Sequence, residues 1–478
     1  MTDAPTPKKV PTTANTGAIA AVGLDLQEGK VIPRKQVWSW ALWDWATQPF
    51  ASVITTFVFT VYLTSSLFID PALEKGTAAY DRAISDLSAG LGLAITVAGL
   101  LVAVLAPVLG QRSDAAGRRK LWLGINTALV ILAMGLMFFV QTGPAYFVFG
   151  VALVAIGNVF AEIANVNYNA MLVQVSTPKT VGRVSGLGWG FGYLGGIIVL
   201  LLVYVLFIAG DNGGALGVGT EAGIDIRLVA LTCAIWTLIF SIPIFVNVPE
   251  HLPDPARRKR VNFFASYGLL VQDIIRLFRE SRPTFWFLLA SAVFRDGLAG
   301  VFTFGGVIAA VTFGFSAQEV LIFGIVANLT AGLSTIIAGR FDDRFGPRAV
   351  IAFSLAGLIV AGLAVFFAHD GGSTAFWIGG LVLTLFVGPA QAASRSFLAR
   401  VTPAGREGEI FGLYATTGRA ASFLSPLLWT TFIAIGGAQY WGILGIVIVL
   451  AVGLALLMLV KVPTLRPAAP GGLPGSLG

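Results

Sequence analysis

The chain has one cysteine, two histidines and few charges, Asp, Glu, Lys and Arg together making up 12% of 478 residues. A lone Cys233 excludes a disulfide framework and a multi-cysteine metal site. His251 and His369 both fall outside the apolar stretches, so no metal centre is expected there. No nucleophile-elbow motif or phosphate loop appears, which argues against an enzyme, and no cofactor is expected. What is abundant is apolar: 56% of residues are hydrophobic and the mean hydropathy is +0.83, beyond what a soluble domain allows. The net charge of +7 does not point to nucleic acid, because Lys and Arg fall in short clusters between apolar runs, the signature of membrane topology.

Residues 1–36, rich in Pro, Thr, Ala and Lys without periodicity, read as a disordered tail with no signal peptide, and 462–478 as a second tail. Between them lie apolar runs long enough to cross ~30 Å of hydrocarbon as helices. They fall at about 37–66, 86–109, 121–140, 145–174, 183–208 and 226–248, then 284–311, 316–338, 349–368, 374–399, 408–434 and 438–461. The expected fold is therefore an all-α membrane protein of twelve transmembrane helices, in bundles of six at 37–248 and 284–461. The linker 249–283 joins them. It carries Arg257, Arg258, Lys259, Arg260, Arg276, Arg279 and Arg282, while Phe263, Tyr267, Leu270, Val271, Ile274, Leu277 and Phe278 recur at helical spacing, as in an amphipathic helix on a membrane surface. Basic residues concentrate on the tail, the linker and the loops around Arg118, Lys179, Arg344 and Arg406, whereas Lys75, Arg82 and Arg227 lie opposite. Both termini are accordingly expected on the cytoplasmic side of the cell's inner membrane.

The halves repeat one another. Gly110, Asp114 and Gly117 between spans two and three have the spacing of Gly339, Asp343 and Gly346 between spans eight and nine. Thr177-Pro178 with Gly182 corresponds to Thr402-Pro403 with Gly408, and Asp44 to Asp296, each followed six residues later by Phe. A glycine turn with arginines explains either loop alone but not both at corresponding places. Repeated halves of this kind are built to rock about a central site.

The run Gly110 to Lys120, with Asp114, Gly117, Arg118 and Arg119 in register, resembles the loop motif of the major facilitator superfamily, and Gly339 to Arg348 matches it in part. More narrowly, Trp40-Ala41-Leu42-Trp43-Asp44-Trp45-Ala46, Gly182-Arg183-Val184-Ser185-Gly186-Leu187-Gly188-Trp189, Gly192-Tyr193-Leu194-Gly195-Gly196 and Phe411-Gly412-Leu413-Tyr414-Ala415 resemble the bacterial branch of the Atg22-like (UMF1) family. The resemblance covers about residues 37–461 and departs at Phe294-Arg295-Asp296-Gly297, where that family usually has Tyr-Asn-Asp-Gly. It implies that Asp114, Arg118 and Asp343, with Gly110, Gly117 and Gly346, form latches between the halves. Simple topology anchoring accounts as well for Arg119 and Lys120.

Ionised side chains cost about 2.5–3.5 kcal/mol at the membrane centre on insertion scales, which makes each one a functional candidate. Asp44, Glu162, Arg295, Asp296, Arg395 and Arg419 lie within spans. Asn158, Glu162, Asn165 and Asn169 share one helical face, and Gln391, Ser394 and Arg395 sit in the corresponding region of span ten. These polar residues face either a cavity or another helix, where they act as hydrogen-bonding glue. Arg395 has two candidate partners across the halves, Glu162 and Asp44. Of the tryptophans, Trp38 and Trp40 read as an interfacial belt, with Trp43 or Trp45 lining the cavity beside Asp44. The span-five glycines Gly186, Gly188, Gly190, Gly192, Gly195 and Gly196, which include the row Gly188-x-x-x-Gly192-x-x-x-Gly196, are expected to pack at a moving helix interface.

The expected function is secondary active transport of a small polar organic solute by alternating access, driven by protons that load Asp44 or Asp296, by a monomer whose partners are that solute and the lipid bilayer. By resemblance, the solute is an amino acid or related metabolite. A proton-antiport exporter of drugs or metabolites is the nearest rival. A channel fits less well, since it has no use for paired latches.

Overall fold

The structure, a computed structural model, describes residues 22–209, 214–250 and 281–460, with residues 268, 272, 274, 275 and 277–279 of the linker. The expected tails at 1–21 and 461–478, and most of the proposed linker helix, lie outside the described residues. Within the described linker Leu277 is buried while Ile275 and Phe278 are exposed.

Every long apolar run folds as a helix, the conformation that satisfies its own backbone in lipid. The first half contains α1 (Arg34–Leu63), α2 (Ala78–Ala116), α3 (Arg119–Met137), α4 (Pro144–Ala170), α5 (Val181–Val203) and α6 (Ile224–Asn247). The second contains α7 (Arg282–Val311), α8 (Ala317–Phe345), α9 (Pro347–Phe367), α10 (Gly372–Val401), α11 (Glu407–Ala421), α12 (Leu424–Gly436) and α13 (Gly442–Leu459). Among the described residues, eleven helical stretches are long and apolar enough to cross a membrane, and α11 with α12 forms a twelfth span, so this is a multi-pass membrane protein. Large apolar side chains such as Val148, Phe353 and Phe367 stand on the outside, where lipid takes the place of a core.

Two spans are broken, each for a local reason. Pro426 lacks a backbone N–H and its ring crowds the carbonyl of Ser422, and the chain separates just before it into α11 and α12. Pro49 likewise leaves backbone acceptors of α1 unpaired, and the helix continues as a widened turn over Phe50–Phe57. The freed Trp45 carbonyl accepts the Trp236 indole N–H at 3.3 Å, and that of Ala46 accepts the Thr237 hydroxyl at 2.9 Å. Elsewhere helix ends follow capping chemistry. Ser316 and Glu319 form a reciprocal capping box at the start of α8, and Gly117 closes α2 at φ +60°, a conformation that costs glycine little.

The halves pack alike. In the first, α1 lies on α5 and α6, α2 on α4, and α3 on α4 and α6; in the second, α7 lies on α11 and α13, α8 on α10, and α9 on α10 and α13. Across the boundary the principal contacts are α5 with α8 and α2 with α11, two contacts related by the same pseudo-twofold. The glycines at the α5–α8 crossing are Gly186 and Gly190, which approach Thr335, Gly339 and Ile336. Gly192 and Gly196 face α1 in their own half, meeting Asp44, Gln48 and Ser52, while Gly188 meets both Trp40 of α1 and Arg395 of the other half. The boundary between the halves is thus packed by Gly186 and Gly190, both among the expected span-five glycines, with Gly188 beside Arg395.

The chain ahead of α1 differs from the expected tail. Val22 pairs antiparallel with Pro403, the Gly23 N–H donates to the Thr402 carbonyl at 3.1 Å, and Leu24 is 1% exposed. Composition hid this segment because one buried leucine carries no periodic signal.

Candidate functional site

α1, α4, α5 and α10 bring their charged and aromatic residues together at one point. Arg395 of α10 reaches into the opposite half. Its Nη1 donates to Asp44 Oδ2 at 3.3 Å and to Asn169 Oδ1 at 3.0 Å, its Nε to Ser185 Oγ at 3.0 Å, and its Nη2 to the Ser185 carbonyl at 2.7 Å. The Tyr168 hydroxyl donates to the same Asp44 oxygen at 3.0 Å. Of the two partners open to Arg395 on the sequence, the structure places Asp44 beside it.

Aromatic rings support this pair from behind. Tyr168 is stacked between Trp40 and Trp43, with centroids 4.4 Å away on each side, and the Arg395 guanidinium lies 4.9 Å from the Trp40 ring and 5.6 Å from Trp189. Trp40 and Trp43 are buried, their indoles committed to the Tyr168 carbonyl and to Thr127. Trp40 is therefore part of the core beneath the arginine and not of an interfacial belt, and Trp43 does not line a cavity. Trp38 is 53% exposed. Trp45 stacks on Trp236. Gly188 makes this packing possible: a Cβ there would lie 2.8 Å from Arg395 Nη2 and 2.9 Å from the Tyr168 hydroxyl.

A second cross-half ion pair joins Glu162 of α4 to Arg419 of α11. The two pairs differ in access. Side chains of Glu162 and Arg419 are each 31% exposed, whereas Arg395 is 3% and Asp44 18% exposed. Asn165 accepts from Asn169 at 3.1 Å, and Gln391 accepts the Tyr193 hydroxyl at 3.0 Å, another link across the boundary. The Trp189 indole N–H, buried beside Arg395, has no partner among the described residues.

Arg295 and Asp296 are not brought to this centre. Asp296 is 6% exposed and its Oδ2 accepts the Ser425 N–H at 2.6 Å, capping α12. Arg295 donates to the Tyr414 carbonyl at 2.8 Å and lies 3.7 Å from the Tyr414 ring centroid in α11. The dipeptide braces the two pieces of the broken span. The repeat aligned Asp296 with Asp44, but the break at Pro426 creates an unpaired N–H that captures the carboxylate.

The two loop motifs form two matching latches. Asp114 accepts the N–H groups of Gly408 and Glu409, each at 3.0 Å, at the N-terminus of α11. Asp343 accepts those of Gly182 at 2.8 Å and Arg183 at 3.1 Å, at the N-terminus of α5. Each carboxylate thus satisfies the free N–H groups of a helix in the other half and sits at the positive end of its dipole. Gly110 and Gly339 allow this approach by packing against the backbone at Gly408 and Gly182. Gly346 starts α9 at φ +86°. Arg118 is exposed at the N-cap of α3, whereas Arg119 is buried between Asp114, at 2.7 Å, and Glu407, at 2.5 Å. The anchoring role expected of Arg119 is replaced by a place inside the latch, and Lys120 caps α6 through the carbonyls of Phe245 and Val248. On the other latch Arg400 bonds Asp342 at 3.2 Å and the Pro178 carbonyl at 2.7 Å. Tyr168, Ser185, Arg119, Glu407 and Arg400 were missed. Of these, Glu407 carried a signal, as an acidic residue beside the repeated Gly408.

With both latches formed, the face carrying them is closed. A cavity of about 220 Å³ lies on the other side of Asp44, lined by Gln48, Ser52, Tyr193, Gly196, Gly324 and Asn328 among others from α1, α5 and α8.

Comparison with known proteins agrees with this geometry. The family described as vacuole effluxer Atg22 like matches residues 174–469. The uncharacterized MFS-type transporter YxiO of Bacillus subtilis is 27% identical over 432 residues, covering 90% of this chain and 96% of that protein. Autophagy-related protein 22 of Cryptococcus neoformans is 24% identical over 297 residues, 58% of this chain and 50% of that protein. Among solved structures, the proton:xylose symporter XylE superposes with a TM-score of 0.68 at 14% identity, covering 90% of this chain and 96% of that one, a likeness of fold alone. The chain belongs to the Atg22-like family of the major facilitator superfamily.

Proposed function

We propose that the chain is a proton-coupled secondary transporter, not an enzyme, that moves a small zwitterionic solute, an amino acid or a close relative, by alternating access. The observation that carries this is the pair of cross-half ion pairs at mid-membrane. Asp44 with Arg395 is sealed and Glu162 with Arg419 is reachable. An accessible carboxylate and guanidinium facing one another offer complementary partners to an ammonium and a carboxylate on one molecule. Inserting such a solute replaces one ion pair by two and leaves no charge unpaired, which a buried site requires.

The inner pair supplies the coupling. Arg395 belongs to the second half, whereas Asp44, Asn169 and Ser185, to which it donates, belong to the first. The halves separate at this depth only after those bonds break. A proton on Asp44 removes the charge that holds Nη1, weakening the bolt at the moment of loading. The latched face, rich in Lys and Arg, is assigned to the cytoplasm, so that this conformer opens away from it, in the inner membrane, as a monomer.

The relatives' names support effluxer or transporter roles for them. A drug exporter is the rival reading, since the cavity carries Phe57, Tyr193, Ile197, Leu200, Val320 and Ile325 beside its polar Gln48, Ser52 and Asn328. Thermal-shift screening of purified protein against amino acids, sugars, nucleosides and cationic drugs tests the reading, since a ligand of the folded state raises its stability. Amino acids are expected to stabilise the wild type and not Glu162→Gln. Stabilisation by cationic drugs alone would transfer the assignment to the exporter.

A further inference from the structure

The segment ahead of α1 sits where the halves meet. Its backbone at Val22 and Gly23 pairs with Thr402 and Pro403, on the connection between α10 and α11, although the segment itself leads into the first half. Leu24 is buried, a short turn follows at Asp25–Gln27, and the chain then runs exposed to Arg34. Gly23 lies directly over Glu407. A Cβ at Gly23 would collide with the Glu407 carboxylate and come within 3.3 Å of the Ala404 Cα, so only glycine seats the strand this closely. Glu407 is 2% exposed: Arg119 holds its carboxylate on one side and the strand covers the other.

We propose that residues 22–27 are a strap that holds the latched face shut by keeping water from Asp114, Arg119 and Glu407. The physical basis is dielectric: an ion pair strengthens as water is excluded, and parting α2 from α11 requires that Arg119 and Glu407 both be rehydrated. While the strap is docked, water has no path to Glu407 from that side. Undocking lowers the barrier at one latch, and because the halves move as bodies the other latch opens with it. The strap therefore sets how often this face opens, and any partner or modification that draws the segment away would act as an activator. This inference rests on the reading that the latched face opens during transport.

Hydrogen exchange read by mass spectrometry, on the full chain in lipid nanodiscs, tests it through amides that report each latch. Gly408 and Glu409 report the Asp114 latch, and Gly182 and Arg183 the Asp343 latch, which the strap does not touch. Leu24→Asp and Gly23→Leu are each expected to speed exchange at both latches about tenfold, the scale set by losing one buried leucine. Asp114→Asn serves as the opened reference. Acceleration confined to residues 402–409, or none with either strap variant while Asp114→Asn speeds both latches, overturns the strap and leaves alternating access standing. If Asp114→Asn also leaves both latches unchanged, the reading that this face opens falls, and the strap with it.

Discussion

Asp114→Asn should open the latched face far more than Asp343→Asn, despite the matched positions of the two residues. Asp114 accepts two backbone N–H groups at 3.0 Å and the buried Arg119 at 2.7 Å. An amide keeps the shape but turns an NH2 toward one of these donors and loses the charge. Hydrogen bonds to charged groups contribute about 1.5–3 kcal/mol each and a carboxylate at a helix N-terminus about 0.3–1. Arg119 retains Glu407, so no cation is stranded, and a net loss of ~3 kcal/mol follows, a shift of roughly two orders of magnitude in the ratio of closed to open. Asp343 accepts two backbone N–H groups as well, so the latches differ in their cations: Arg183 is 55% exposed, and Arg400, 3.4 Å away, is shared with Asp342. Solvent screening reduces the Arg183 pair to about 0–1 kcal/mol, so the shift expected in Asp343→Asn is roughly tenfold smaller than in Asp114→Asn. Nitroxides at Ala116→Cys and Phe345→Cys, both exposed and in opposite halves, read the separation directly by pulsed electron resonance. A long-distance population should dominate in Asp114→Asn and be minor in Asp343→Asn. Unchanged distances in Asp114→Asn, or a larger effect of Asp343→Asn, would refute the latch energetics.

Three further outcomes follow from packing at the centre. Gly188→Ala places a methyl under 3 Å from Arg395, Trp40 and Tyr168, and should cost about 1–3 kcal/mol in thermal unfolding, whereas Gly92→Ala, with open space around it, should be neutral or slightly stabilising. Asp296→Ala leaves the Ser425 N–H without its acceptor and should destabilise by about 1–3 kcal/mol, while Asp296→Asn retains a carbonyl and should lose much less; equal losses would remove the capping role. Arg419→Gln should abolish binding of the zwitterionic ligand found by thermal shift while leaving the unfolding temperature of the empty protein within a few degrees, since the pair is partly exposed.

The repeat made much of this architecture legible. Gly110 and Gly339 could be matched from spacing alone, as could Gly182 and Gly408, but only folding shows that the members of one pair pack on those of the other. Asp44 stands out because charge is rare in an apolar span, yet only the placed helices show that it, and not Glu162, pairs with Arg395. Trp40 was misassigned because a tryptophan near the start of a span has the same pattern whether it anchors in headgroups or stacks under an arginine one helix away. Asp296 was misplaced by symmetry itself, which carries no information about a break at Pro426. Tyr168 and Ser185 are ordinary residues made functional by their neighbours, and nothing in a single sequence distinguishes them.

The central claim is that the Asp44–Arg395 pair couples proton movement to the rocking of the halves. It is tested most directly in proteoliposomes, by following a labelled ligand in wild type and Asp44→Asn under an imposed pH gradient and again as exchange with no gradient. The account predicts that Asp44→Asn exchanges ligand across the membrane but no longer accumulates it against a gradient, because the bolt opens without a proton. Gradient-driven accumulation by Asp44→Asn equal to that of the wild type would contradict it.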